Sequence, residues 1–127
     1  MMIEHAALYT LDLERARAFY ETYFDGTAGK LYHNPETGLQ TYFISFADGA
    51  RLELMTRPEL EEGERSRRWT GWTHLAFKAG TRENVDALTE RLRADGYEVT
   101  SGPRVTGDGY YESCVLDPDG NTIEIVA

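Results

Sequence analysis

The stretch DGNTIEI at residues 119–125 has a close counterpart, DGARLEL, at residues 48–54. Both read Asp-Gly, three further residues, then Glu with an apolar residue on each side. Asp-Gly pairs are typical of two-residue hairpin turns, so each stretch predicts a turn that leads into a strand. Alternation along that strand places Glu53 and Glu124 on the face opposite to that of their apolar neighbours.

A histidine inside an apolar segment precedes each of these stretches. IEHAAL at residues 3–8 contains His5, and WTHLAF at residues 72–77 contains His74. The histidines are 69 positions apart (74 − 5) and the glutamates 71 (124 − 53), a difference that ordinary loop variation explains. The same order of markers, found twice, indicates an internal duplication. Each half is predicted to carry its histidine on the first strand and its glutamate on the last.

The segments between these markers also repeat. Asp12 and Thr81 are each followed by an amphipathic stretch, which predicts two capped helices. Runs rich in Val, Ile, Tyr and Phe predict the later strands, at residues 40–46, 51–55, 97–100, 111–116 and 122–126, with one more near 29–32. Each half therefore reads βαβββ, which makes the chain an α+β fold. The predicted organisation is a first module over 1–57, a connector over 58–70 and a second module over 71–127.

Composition excludes several classes of protein. The 127 residues carry thirteen Lys and Arg against twenty-two Asp and Glu, a net charge of −9. Nucleic acids and anionic membranes both need a basic surface, which this sequence does not provide. No apolar run approaches the roughly 18 residues of a spanning helix, and Glu4 and His5 interrupt any signal-peptide core. A single cysteine, Cys114, makes no internal disulfide, so we expect a cytoplasmic protein.

His5, Glu53, His74 and Glu124 form a set of two imidazoles and two carboxylates, which suits a divalent metal ion. A lone carboxylate on the inner face of a sheet is costly unless it is paired or ligated. The alternative for each single residue is a structural histidine or a solvent-facing glutamate on an antiparallel sheet. The repeat favours the metal site, because it selects all four residues together.

Two motifs resemble those of the vicinal oxygen chelate superfamily, the group of glyoxalases, bleomycin resistance proteins and dioxygenases. The segment from Ile3 through DLERA at 12–16 to Phe19-Tyr20 is similar to the family's opening motif, and LDPDGNTIE at 116–124 is similar to its closing motif. The resemblance implies paired βαβββ modules that form a cup-shaped mixed β-sheet around a divalent metal. It also implies a small-molecule substrate and a homodimer in which the cup can be shared between subunits.

Within this superfamily, the full set of His5, Glu53, His74 and Glu124 resembles glyoxalase I. Extradiol dioxygenases and fosfomycin-modifying members use two His and one Glu instead. The resemblance implies a metal-dependent lyase or isomerase that transfers a proton through a metal-stabilised enediolate of a thiol adduct or α-hydroxycarbonyl compound. Glu124 is favoured as the catalytic base, with Glu53 as its counterpart. Zn, Ni, Co, Fe(II) and Mn all suit the donor set.

Two positions depart from the glyoxalase I pattern. Tyr9 and Arg57 stand where bacterial glyoxalase I commonly has an Arg and an Asn that contact glutathione. We expect both residues to bind substrate, with Arg57 able to hold a carboxylate through two hydrogen bonds. Two alternatives therefore stay open: a metal-dependent dioxygenase of the same superfamily, and a small-molecule-binding or resistance protein without catalysis.

Overall fold

The residues that the computed structural model describes, 1–63 and 70–127, contain two helices, and both begin where the sequence predicts. The Asp12 carboxylate accepts a hydrogen bond from the backbone N–H of Arg15 at 3.0 Å. The Thr81 hydroxyl accepts one from the backbone N–H of Asn84 at 3.2 Å. Each cap satisfies an amide that the first helical turn leaves without a partner.

The chain divides into two units, Met1–Glu64 and Arg65–Ala127. The described part of the first unit runs β1 (Ala6–Tyr9), α1 (Leu13–Phe24), β2 (Thr27–Ala28), β3 (Tyr32–His33), β4 (Gln40–Ser45) and β5 (Arg51–Thr56). Its sheet has the strand order β1-β5-β4-β2, and β3 also pairs with β4. The first and last strands lie side by side and run parallel, whereas β4 and β5 are antiparallel.

The second unit repeats this topology. Its described elements are β6 (Leu75–Lys78), α2 (Arg82–Ala94), β7 (Val99–Val105), β8 (Tyr111–Leu116) and β9 (Thr122–Val126). The strand order is β6-β9-β8-β7, again with the first and last strands parallel. The predicted α+β class, with a mixed sheet and one helix in each described unit, is confirmed.

In each unit the helix packs on one face of the sheet and buries the alternating apolar residues of the last strand. Leu52 and Leu54 of β5 are buried, as are Ile123 and Ile125 of β9. The helices contribute further buried side chains, chiefly Ala16, Phe19, Tyr20, Val85 and Leu92. Because side chains alternate along a strand, the glutamate between each buried pair is directed to the other face.

The prediction of a single strand near residues 29–32 is wrong in detail. Two strands of two residues each, β2 and β3, flank that segment. Ala28 pairs with Ile44 and Tyr32 with Thr41, so that three residues, 29–31, oppose only two on β4. This extra residue is a bulge, which interrupts pairing along the edge of the sheet.

The hairpin turns also differ from the prediction of two-residue loops. Phe46 and Ala50 bracket the three residues 47–49, with the Phe46 N–H donating to the Ala50 carbonyl at 3.0 Å. Gly49 has φ +89°, and Gly120 has φ +77° in the equivalent turn of the second unit. A three-residue loop that ends in a left-handed residue favours glycine at that position. The Asp-Gly pairs therefore suit this loop and a two-residue turn equally.

Strand β7 is longer than the predicted 97–100, because it continues to Val105 through Gly102 and Pro103. Among the described residues β7 is the edge strand of its sheet, and its register against β8 shifts on both sides of Ser101. Edge strands and bulges accommodate both glycine and proline. Of the predicted connector, residues 58–63 contain no helix or strand, and residues 64–69 lie outside the described part of the chain.

Candidate metal centre

The first unit brings His5 and Glu53 together. In β5 the Glu53 side chain is 16% exposed, between two buried leucines. Strands β1 and β5 pair in parallel with Ala7 opposite Glu53. His5 lies just before β1, not on a strand as the sequence predicts, because regular pairing begins at Ala6. Its Nε2 is 3.7 Å from Oε2 of Glu53.

The second unit builds the same arrangement from His74 and Glu124. Ala76 of β6 lies opposite Glu124 of β9, so that the histidine again stands two residues before the glutamate's partner. His74 also precedes its strand, which begins at Leu75. Nε2 of His74 is 3.5 Å from Oε2 of Glu124, whose side chain is 16% exposed. The shared register is the structural consequence of the repeated sequence.

Each His–Glu pair has the separation that two ligands of one cation need. Bonds of about 2.0–2.2 Å from a metal to an imidazole nitrogen or a carboxylate oxygen place two ligand atoms up to roughly 4 Å apart. The measured separations of 3.7 and 3.5 Å fall inside that limit. Nitrogen and oxygen donors of this kind suit Zn, Ni, Co, Fe(II) or Mn. Each pair, taken within its own unit, therefore fits a divalent metal.

The surroundings of the two histidines differ. Nδ1 of His5 is in hydrogen-bond contact with the Glu4 carboxylate, and the His5 ring meets the edge of the Phe43 ring with centroids 5.2 Å apart. Nδ1 of His74 instead lies 3.1 Å from the Thr73 hydroxyl. The first pair thus has a charged neighbour and the second a neutral one.

Glu124 has two polar neighbours that the sequence analysis missed as site residues. Ligand atoms of Glu112, Cys114 and Glu124 all lie within 4.8 Å of one another. Burial, followed by the hydrogen bond with Glu124 and its negative charge, raises the pKa of Glu112, and Arg104 opposes the shift. Burial and the charges of both glutamates raise the pKa of the Cys114 thiol. Cys114 is therefore held as a thiol, which makes it a poor nucleophile.

Only part of the signal for Glu112 is present in the sequence. It stands two residues before Cys114 on β8, and alternation places both side chains on one face. Cys114 pairs directly with Glu124 on the neighbouring strand. The face that carries Glu112 and Cys114 is therefore also the face of Glu124, the candidate metal ligand.

The predicted substrate-binding residues Tyr9 and Arg57 also lie together, at the end of β1 and just after β5. The Arg57 guanidinium pairs with the Glu59 carboxylate. That carboxylate first, and then the hydroxyl of Tyr9, raise the pKa of Arg57 through hydrogen bonds. The cation is thus oriented by two partners, although Tyr9 is 46% exposed.

Neither helix in residues 1–63 and 70–127 has the length and apolar character needed to cross a membrane.

Comparisons with known proteins identify the family and the fold. The chain matches the family model of the Glyoxalase/Bleomycin resistance protein/Dioxygenase superfamily over residues 2–125. It is 32% identical over 128 residues to an uncharacterized protein of Bacillus subtilis, YqjT, with 98% of each chain covered. It is 30% identical over 131 residues to the lactoylglutathione lyase of Haemophilus influenzae, covering 99% of this chain and 92% of that protein. The structure of a possible glyoxalase from Bacillus cereus superposes with a TM-score of 0.74 at 28% identity, covering 100% and 99% of the two chains.

Proposed function

Because the chain belongs to the Glyoxalase/Bleomycin resistance protein/Dioxygenase superfamily, we propose that it is a metal-dependent lyase or isomerase of the glyoxalase I type. Its substrate is a thiol adduct or another α-hydroxycarbonyl compound. The observation that carries the proposal is the pair of His–Glu contacts built in the same register in both units. The similarity to a lactoylglutathione lyase supports the same reaction class.

The proposed ligands are His5, Glu53, His74 and Glu124, which hold one divalent ion. Members of the superfamily typically bind such an ion. Neutral imidazole and carboxylate side chains supply nitrogen and oxygen donors, and Zn, Ni, Co, Fe(II) or Mn would satisfy them. The proposal requires both pairs, so the loss of either should remove the ion.

A divalent ion held by these residues would supply positive charge to polarise the oxygens of the substrate. Glu124 takes the proton from the carbon next to the carbonyl and returns it to the neighbouring carbon, which isomerises the substrate without net oxidation. Glu53 is its counterpart on the other half of the repeat. The carboxyl group of Glu112 lies within 4.8 Å of that of Glu124, whereas the extra acidic residue of the first unit, Glu4, contacts the histidine. A second acidic group beside Glu124 itself supports Glu124 as the proton-transferring residue.

Arg57 and Tyr9 form the proposed substrate-binding group. A guanidinium oriented by two neighbours suits a carboxylate on the substrate. An Arg and a Tyr that replace the glutathione-contacting residues of bacterial glyoxalase I would alter the choice of thiol carrier. We further propose that the protein is cytoplasmic and acts as a homodimer, as superfamily members often do.

Isomerisation of the hemithioacetal of methylglyoxal with glutathione, and with other small thiols, tests this function. Metal-loaded protein should convert at least one adduct, and chelation with EDTA should abolish the activity. Glu124→Gln should lower kcat by about 10²–10⁴-fold, the usual contribution of a general base. Glu98→Gln, an exposed site before β7, is the matched control and should leave kcat unchanged. Turnover that survives EDTA or Glu124→Gln would refute the mechanism.

A further inference from the structure

We propose that Glu4 is a positioning residue for His5. Its carboxylate accepts the Nδ1–H of the imidazole, which leaves Nε2, the nitrogen that faces Glu53, as the metal-binding atom. This inference rests on the proposed function, because it concerns how His5 is presented to the ion.

The Glu4 carboxylate has a separate partner for each oxygen. Oε2 contacts Nδ1 of His5, and Oε1 contacts the guanidinium of Arg51. Both contacts fix the carboxylate beside the ring, although the Glu4 side chain itself is 57% exposed. Opposite its Nδ1, the same ring directs Nε2 to Glu53 at 3.7 Å.

Arg51 and Phe43 complete a closed set of contacts around His5. The Arg51 guanidinium lies 4.5 Å from the centre of the Phe43 ring. Phe43 pairs with Glu53 across β4 and β5 and meets the His5 ring edge-on, with an interplanar angle of 85°. Since Arg51 stands two residues before Glu53, its side chain projects to the same face of β5. Each member of the set therefore restrains the next.

A carboxylate on the far nitrogen of a metal-binding histidine has two known consequences. It fixes the tautomer and ring orientation, and it increases the basicity of the ligating nitrogen. Exposed ion pairs contribute little to folding, so the Glu4 contacts should matter for the metal rather than for stability. In the second unit the equivalent neighbour of His74 is the neutral hydroxyl of Thr73. We infer that the ring orientation and tautomer of His5 are fixed more strongly than those of His74.

Zinc affinity of the full-length protein, measured at pH 7.5 by competition with a chromophoric chelator, tests this role. Glu4→Ala should weaken zinc binding about 10–100-fold, the usual effect of losing such a partner. Glu4→Gln, which keeps a carbonyl acceptor at the same length, should weaken it less. Thr73→Ala should also have a smaller effect. Glu36→Ala, exposed in the loop after β3, removes the same charge and should change affinity less than twofold.

The histidine tautomer is a second readout that needs no metal. In ¹⁵N spectra of metal-free protein, recorded at a pH where the ring is neutral, His5 should carry its proton on Nδ1 in the wild type. In Glu4→Ala the proton should shift toward Nε2, which faces Glu53. Unchanged zinc affinity and an unchanged tautomer in Glu4→Ala would overturn the role of Glu4. Equal weakening by Glu36→Ala would also overturn it, in favour of a general charge effect. A wild type that binds none of Zn, Ni, Co, Fe(II) and Mn would refute the proposed function, and the tautomer would still decide the part played by Glu4.

Discussion

Replacing Glu112 by glutamine should stabilise the metal-free protein at neutral pH. Glu112 is a buried carboxyl group whose pKa is raised by burial and by hydrogen-bond and charge interactions with Glu124. Glutamine has nearly the same shape and carries no charge, and its amide can donate to the Glu124 carboxylate. The substitution therefore removes the unfavourable charge while keeping the contact.

The size of the effect follows from the geometry. The ligand oxygens of Glu112 and Glu124 lie within 4.8 Å of each other. Two like charges at that distance repel by about 3.5 kcal/mol at an effective dielectric of about 20, and by about 1 kcal/mol in water. Arg104, whose Nη2 is 3.5 Å from Oε1 of Glu112, offsets part of this repulsion, and solvent screens the rest. We therefore expect a gain of about 1–2 kcal/mol.

The stability gain of Glu112→Gln should depend on pH. A carboxyl group whose pKa is higher in the folded state contributes stability below its ordinary value of 4.5, and that stability is lost as pH rises through the folded-state pKa. Glutamine does not titrate. The advantage of Glu112→Gln should therefore be absent near pH 4 and grow toward pH 8.

Urea unfolding with EDTA present, followed by far-UV circular dichroism between pH 4 and pH 8, measures this difference. Glu98→Gln, at an exposed position in the same unit, is the charge-matched control and should show no such gain. A Glu112→Gln variant that is less stable than wild type at pH 8, or a gain that is the same at every pH, would refute the reasoning.

Two further predictions concern the turn between β8 and β9 and a glycine within β7. Buried Asp117 accepts a hydrogen bond from the backbone and another from the side chain of Asn121, each at 2.8 Å, so Asp117→Ala should lower the free energy of unfolding by about 2–4 kcal/mol; a loss below 0.5 kcal/mol in urea unfolding would contradict this. Gly102 has φ +79°, and a Cβ there would lie 2.5 Å from the Glu112 carbonyl oxygen, so Gly102→Ala should cost more than about 2 kcal/mol. Gly107→Ala, where an added Cβ meets nothing within 4 Å, is its control and should stay within about 0.5 kcal/mol of wild type.

The sequence could predict the face on which each glutamate lies, because side-chain direction along a strand depends on a short-range pattern. The Asp-Gly turn sets where the last strand begins, and alternation between Leu52 and Leu54 sets the direction of Glu53. In both units the histidine stands two residues before the residue of the first strand that pairs with the glutamate. That the four residues hold one ion stays a prediction, as do the module boundaries at 57 and 71.

What the sequence could not predict depends on register between distant strands. The bulge at residues 29–31 arises because two short strands pair with different ends of β4, and no local pattern encodes that. Glu112 reaches Glu124 only because Cys114 pairs with Glu124 across β8 and β9. The sequence did not predict the three-residue turns because Asp-Gly suits loops of two and of three residues. Only the left-handed glycine at the third position distinguishes the two loop lengths.

Titration of EDTA-treated protein with a divalent ion, followed by isothermal calorimetry, tests the central claim most directly. We expect one zinc or nickel ion per chain, with binding abolished in both His5→Ala and His74→Ala, because the proposed site needs a His–Glu pair from each unit. His33→Ala, at an exposed position on β3, is the control and should bind as wild type does. Two ions per chain, binding that survives the loss of either histidine, or no binding at all would contradict the claim.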